Sequence, residues 1–181
     1  MSEVGSHGEG STTMGIFDFF KRPDFRSAAI AIKSQALGID LSAMERQFAQ
    51  EAGIDLAKYV LERNLMRVGV SSAAVYFFLV KAPHEKSLRD LSDHLTDLYK
   101  QFFSGLPNAP EGYENETMSH VKESYPLADP EVVASRLLNN LTDGMAAHTD
   151  PLVAAPLVEI VRAVVKEVLL TVGNQVKRIR N

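Results

Sequence analysis

Asp90, Asp93, His94 and Asp97 recur at i, i+3, i+4 and i+7, the interval that sets side chains on one face of an α-helix. Three carboxylates and an imidazole so aligned could hold a divalent cation, or a carboxylate could orient the histidine as a base. The reaction class this serves is metal-dependent hydrolysis. The spacing is specific to a helix and not to a metal, because no Glu-x-x-His element occurs in the chain. The four residues also lie opposite a leucine stripe, where water is the ordinary neighbour. A second acidic group, Glu111, Glu114, Glu116 and Glu123 around His120, follows a Pro/Gly loop and reads equally well as a solvated connection. His148 and Asp150 share a turn in which Asp150 already serves as a helix cap.

Other chemistries are excluded more firmly. With no cysteine there is no disulfide, thiolate nucleophile, Cys-liganded zinc or iron–sulfur cluster. The chain has no Gly-x-Ser-x-Gly elbow, no Gly-x-x-x-x-Gly-Lys and no Gly-x-Gly-x-x-Gly. No catalytic residue and no cofactor is therefore assigned, and binding is favoured over catalysis.

DNA recognition has a local case. Phe48, Ala49, Ala52, Gly53 and Ile54 supply the small and apolar residues of a helix-turn-helix corner, and the following helix carries Lys58, Arg63 and Arg67. Farther on, Gly69-Val70-Ser71-Ser72-Ala73-Ala74-Val75-Tyr76 resembles the recognition-helix opening of TetR-family repressors. The likeness covers those eight residues and implies a DNA-binding regulator working through the segment 45–81. It departs at Leu79, where that family prefers phenylalanine. Charge argues against this use: six basic residues of the region face five acidic ones, and the whole chain has 19 Lys+Arg against 23 Asp+Glu, a net −4. A protein neutralising several phosphates normally carries a clearer positive excess.

The elements that must position these residues are helical. Residues 1–13, rich in Gly and Ser, are expected to form a disordered tail. The Ile16-Phe17-Asp18-Phe19-Phe20-Lys21-Arg22 segment forms an aromatic turn suited to core packing or partner docking, ahead of Pro23. Asp24 caps a helix to Leu37. The repeated tetrapeptides Gly38-Ile39-Asp40-Leu41 and Gly53-Ile54-Asp55-Leu56 punctuate two more, Leu41 to Ala52 and Asp55 to Val68, with a capping box at Ser42 and Glu45. Gly69 then breaks the pattern, and a buried helix runs from Ser71 or Ser72 to Lys81. The clearest amphipathic helix, 84–103, carries Leu88, Leu91, Leu95, Leu98, Tyr99 and Phe102. A hinge-like loop near 104–114 leads to a helix over 115–124, Asp129-Pro130 opens another to about Met145, and Asp150-Pro151 precedes the longest.

That last helix places Val161, Val164, Val168, Val172 and Ile179 on one flank, widened by Val158, Val165, Leu169 and Val176. So broad a stripe needs either a central place in the bundle or a second subunit, and the five residues first named are the candidate interface of a homodimer. No apolar run reaches the roughly 18 residues that cross a bilayer, and no secretory signal opens the chain. The expectation is an all-α bundle of six to eight helices over residues 14–181, a cytoplasmic regulatory or interaction protein that binds a protein partner or a small apolar ligand, with nucleic acid disfavoured as a partner.

Overall fold

The computed structural model describes residues 24–125, 130–143 and 151–180, with only the backbone for 151–153. The expected tail 1–13, the aromatic segment before Pro23 and the caps Asp129 and Asp150 lie outside the described residues. Among those described there are seven α-helices and no strand, the all-α class that the periodicity predicts. No helix among them is long and apolar enough to cross a membrane.

Local chemistry sets most of the boundaries. The Asp24 carboxylate accepts from the Ser27 amide at 2.8 Å and starts α1, Phe25–Ala36. Ser42 and Glu45 close a reciprocal capping box that starts α2, Ala43–Glu51. Gly53 takes the left-handed conformation at φ 65°, and Asp55 accepts from the Lys58 amide at 2.9 Å to start α3, Leu56–Lys81. The first tetrapeptide behaves differently from the second. Ser42 caps α2 in place of Asp40, and the Gly38 and Asp40 carbonyls instead accept from Arg63.

The expected break at Gly69 is absent, since α3 is one rod of 26 residues, about 39 Å at 1.5 Å per residue. Its glycine answers a neighbour. A Cβ at position 69 would stand 2.6 Å from Tyr125 Cβ and 2.8 Å from the Tyr125 carbonyl oxygen. Tyr125 closes α5, Tyr113–Ser124, so the missing side chain lets the end of α5 lie against α3. The terminal part of α3 is also less buried than its apolar sequence implies: Tyr76, Phe77 and Val80 are 63%, 44% and 58% exposed.

α4, Lys86–Ser104, turns the predicted Leu88, Leu91, Leu95 and Tyr99 inward and packs closely on α1, whose Ala28, Ala29 and Ile32 are buried. Ser71 Oγ and Tyr99 OH share a buried hydrogen bond of 2.7 Å that fixes α3 against α4. α6, Pro130–Leu141, and the 30-residue α7, Pro151–Arg180, complete the bundle. α7 touches α1, α2, α3, α4 and α6. Burying a valine fully stabilises by about 1.5–3 kcal/mol, against a helix-propensity deficit of at most about 0.7 kcal/mol, so packing decides that this valine-rich segment is helical. Its C-terminus is pinned by Arg180, which donates to Glu85 at 2.8–3.0 Å beside the start of α4.

Gly69→Ala should lower stability although alanine is the better helix former by about 1 kcal/mol. Overpacking costs about 1–3 kcal/mol, and the atoms in the way include the Tyr125 backbone, which yields little. Urea unfolding should show a lower midpoint with an unchanged slope. A stabilised Gly69→Ala would mean that the α3–α5 contact is looser than described.

Candidate functional site

The residues singled out for metal chemistry do not assemble. Asp90 receives a hydrogen bond from Lys86 at 2.6 Å, His94 stacks edge-on against Phe25 with ring centroids 5.9 Å apart, and Asp93 and Asp97 point to solvent. Successive turns of one helix splay side chains apart, and among the described residues no second element brings an acid to complete a site with them. Among the described residues no group of three His, Asp or Glu side chains could share one ion. This covers the Glu111, Glu114, Glu116, Glu123 and His120 group as well, in which Glu114 accepts from Asn115 and Glu123 from Ser119.

Two of the three cations proposed for DNA are taken up internally, and the third is in a surface ion pair. Arg63 is fully buried and Arg67 is 8% exposed, while Lys58 pairs with Asp143 at 2.8 Å. Spaced four apart on α3, both arginines face the end of α1 rather than solvent. The eight residues that resemble a TetR recognition-helix opening lie in the middle of α3, so no helix starts there to enter a groove. The candidate interface residues of α7 are interior too: Val161, Val168 and Val172 are 0% exposed, Val164 6% and Ile179 8%. These five side chains are buried within the one chain, as a central helix requires.

What the arginines build is a buried clamp. Arg63 Nη1 donates to the Asp40 carbonyl at 2.9 Å and to Glu45 Oε1 at 3.2 Å, and Nη2 donates to the Gly38 carbonyl and, at 3.4 Å, to Asn64 Oδ1. Arg67 Nη1 donates to the Gln35 carbonyl at 3.2 Å. Positive charge at the last carbonyls of α1 is favoured by the helix dipole. Burial pushes the Glu45 carboxyl up, but the Ser42 amide and hydroxyl together with Arg63 outweigh it and hold the group below the usual carboxylate range. Burial, reinforced by the neighbouring Arg63, lowers the Arg67 guanidinium from its ordinary value.

The most ligand-like site lies elsewhere. On α3, Gly69, Ser72, Ala73 and Tyr76 fall at i, i+3, i+4 and i+7 and line one wall of a cavity of about 340 Å³. Leu95 and the backbone turn of Ser92 and Thr96 on α4 form the facing wall, with Lys122 and Tyr125 of α5 closing the third side. Three small residues in succession on α3 leave the room. Thr96 Oγ1 is turned back onto the Ser92 carbonyl at 2.9 Å, and Tyr125 OH is occupied by Glu62 and Asn140. The Ser72 hydroxyl is buried with no hydrogen-bond partner, and Lys122 stands exposed at the mouth. An orphaned buried hydroxyl is costly, by about 1–3 kcal/mol, and is expected where something else supplies the partner.

The periodicity argument missed this site, although its signal is present. Gly69, Ser72 and Ala73 are a run of small residues on one face of an otherwise bulky helix. No family model, curated protein or solved structure matches the chain.

Two outcomes follow from the clamp. A group whose carboxyl is depressed in the folded state stabilises above its unfolded pKa, here 4.5, and that contribution is lost as pH falls through the lower folded value. Denaturant unfolding between pH 6 and pH 3 should therefore show stability falling below about pH 4.5, more gently in Glu45→Gln. In gel shifts at low salt, duplex DNA should be left unretarded. A salt-sensitive complex would restore the DNA reading.

Proposed function

We propose that the chain is a non-enzymatic helical binding protein of the cytoplasm, whose α3–α4–α5 cavity takes a small apolar ligand with a single acidic head. The observation that carries this reading is an apolar recess furnished with one unsatisfied hydroxyl, Ser72, and one rim cation, Lys122. Ligand sites ordinarily combine apolar walls with a few convergent polar groups, in volumes of roughly 300–1,000 Å³. At about 340 Å³ this one suits a compact ligand such as a medium-chain fatty acid. The apolar tail lies along Leu95, Ala73 and Val75, and the carboxylate takes its counter-charge from Lys122 at the mouth. A regulatory role follows from position, because a ligand here sets the contact among three helices.

The test is calorimetric titration with octanoate and decanoate, with decanol as the uncharged comparison. The acids should bind. Ala73→Phe, which fills a half-buried position, should weaken binding tenfold or more while the thermal melt stays cooperative. Lys122→Gln should weaken the acids several-fold and leave decanol unchanged. Silence of both acids at millimolar concentration, or full binding by Ala73→Phe, would end the proposal.

A further inference from the structure

α7 carries five Lys and Arg against two Glu, in a chain whose net charge is −4. Arg162 is matched by Glu159 and Glu131, Arg180 by Glu85, and Glu167 lies 3.8 Å from Arg67. Lys166 and Lys177 are exposed and form no ion pair among the described residues. They stand eleven residues apart, three turns of α7 and about 16 Å along one face. Between them on that face fall Leu169, Leu170 and Gly173, at i+3, i+4 and i+7 from Lys166. Leu169 is 39% exposed and Leu170 58%.

The face is shaped as well as charged. Pro130 of α6 joins Val165, Leu169 and Leu170 in lining a shallow groove of about 330 Å³, to which Arg162 and Lys166 also contribute. One turn beyond the leucines comes Gly173, where a Cβ would meet nothing within 4 Å. No contact inside the chain asks for a glycine there, and glycine within a helix is unfavourable relative to alanine. What it leaves is a low point over which another backbone can approach closely. A second copy docked two-fold on this face would set lysine against lysine whichever way the helices ran. A helix with acids at both ends of an apolar stripe meets opposite charge at each end and leucines between. We infer that this face of α7 docks an amphipathic helix of another protein, one whose apolar stripe is flanked by acidic side chains.

The experiment is fluorescence anisotropy of the full chain with a labelled synthetic helix that sets two glutamates eleven residues apart on one face with leucines between them. The comparisons are the same peptide with glutamine for each glutamate, and vesicles of phosphatidylserine. The acidic peptide should bind at least tenfold more tightly than its glutamine counterpart, and less tightly as salt is raised. Lys166→Gln combined with Lys177→Gln, both at exposed positions, should weaken it tenfold or more. Gly173→Gln should melt no lower than the parent, because the added side chain meets open space, and should lose the peptide. No binding of the acidic peptide, equal binding of the two peptides, or binding retained in Gly173→Gln would each overturn the inference. So would vesicle binding without peptide binding, which would make this a lipid-facing surface, or a dimer in light scattering that Gly173→Gln dissociates, which would make the occupant a second copy. Octanoate titration of Gly173→Gln should match that of the parent, which separates this face from the α3–α4–α5 cavity.

Discussion

A buried guanidinium organises the N-terminal half of this bundle. Desolvating Arg63 costs several kcal/mol, and only close pairing with carbonyls and a carboxylate offsets it. Besides the adjacent Asn64, three partners come from two elements: the Gly38 and Asp40 carbonyls of the α1–α2 connection, and Glu45 of α2. None of these three is near position 63 in sequence, so the charge is satisfied only when the α1–α2 connection and α2 have been folded back onto α3. The capping box prepares this locally, because Glu45 already bends to the Ser42 amide and thus presents its other oxygen to Arg63.

The rest of the bundle follows from α3 being held along its first half and middle. Its first half carries the clamp, its middle admits the Tyr125 backbone at Gly69, and Ser71 ties it to Tyr99 of α4. A second polar group, Glu62 with Tyr125 and Asn140, links α3 to the end of α5 and to α6. Burial, with the Glu62 charge behind it, raises the Tyr125 phenol, so that Tyr125 serves as a neutral donor. The cavity beside the small-residue face of α3 lies among these fixed points, walled by α4 and by the end of α5.

How much of this was legible in the sequence depended on whether the deciding interaction was local. The Ser42–Glu45 box, the Asp24 and Asp55 caps, the left-handed Gly53 and the leucine stripe of α4 all act within one or two turns, and each is found as read. Gly69 was misread because its cause, the backbone of Tyr125, is 56 positions away. Arg63 and Arg67 were read as surface cations because charge in a sequence ordinarily means solvent. Their partners include the Gly38, Asp40 and Gln35 main-chain carbonyls, to which side-chain patterns are blind. Asp90, Asp93, His94 and Asp97 share a face as the spacing requires, but a shared face is not a shared point. The valine stripe showed that α7 must be covered on one broad side without showing by what.

The claim on which the account rests is that Arg63 and Glu45 stabilise the fold as a pair. A double-mutant cycle with Arg63→Met, Glu45→Gln and both together, followed by urea unfolding at neutral pH, measures it directly. Each single change strands a buried group and should cost about 3 kcal/mol or more. The double variant should recover at least about 1 kcal/mol of the summed loss. Strictly additive losses, or singles that cost under about 1 kcal/mol, would contradict the clamp as the organising interaction.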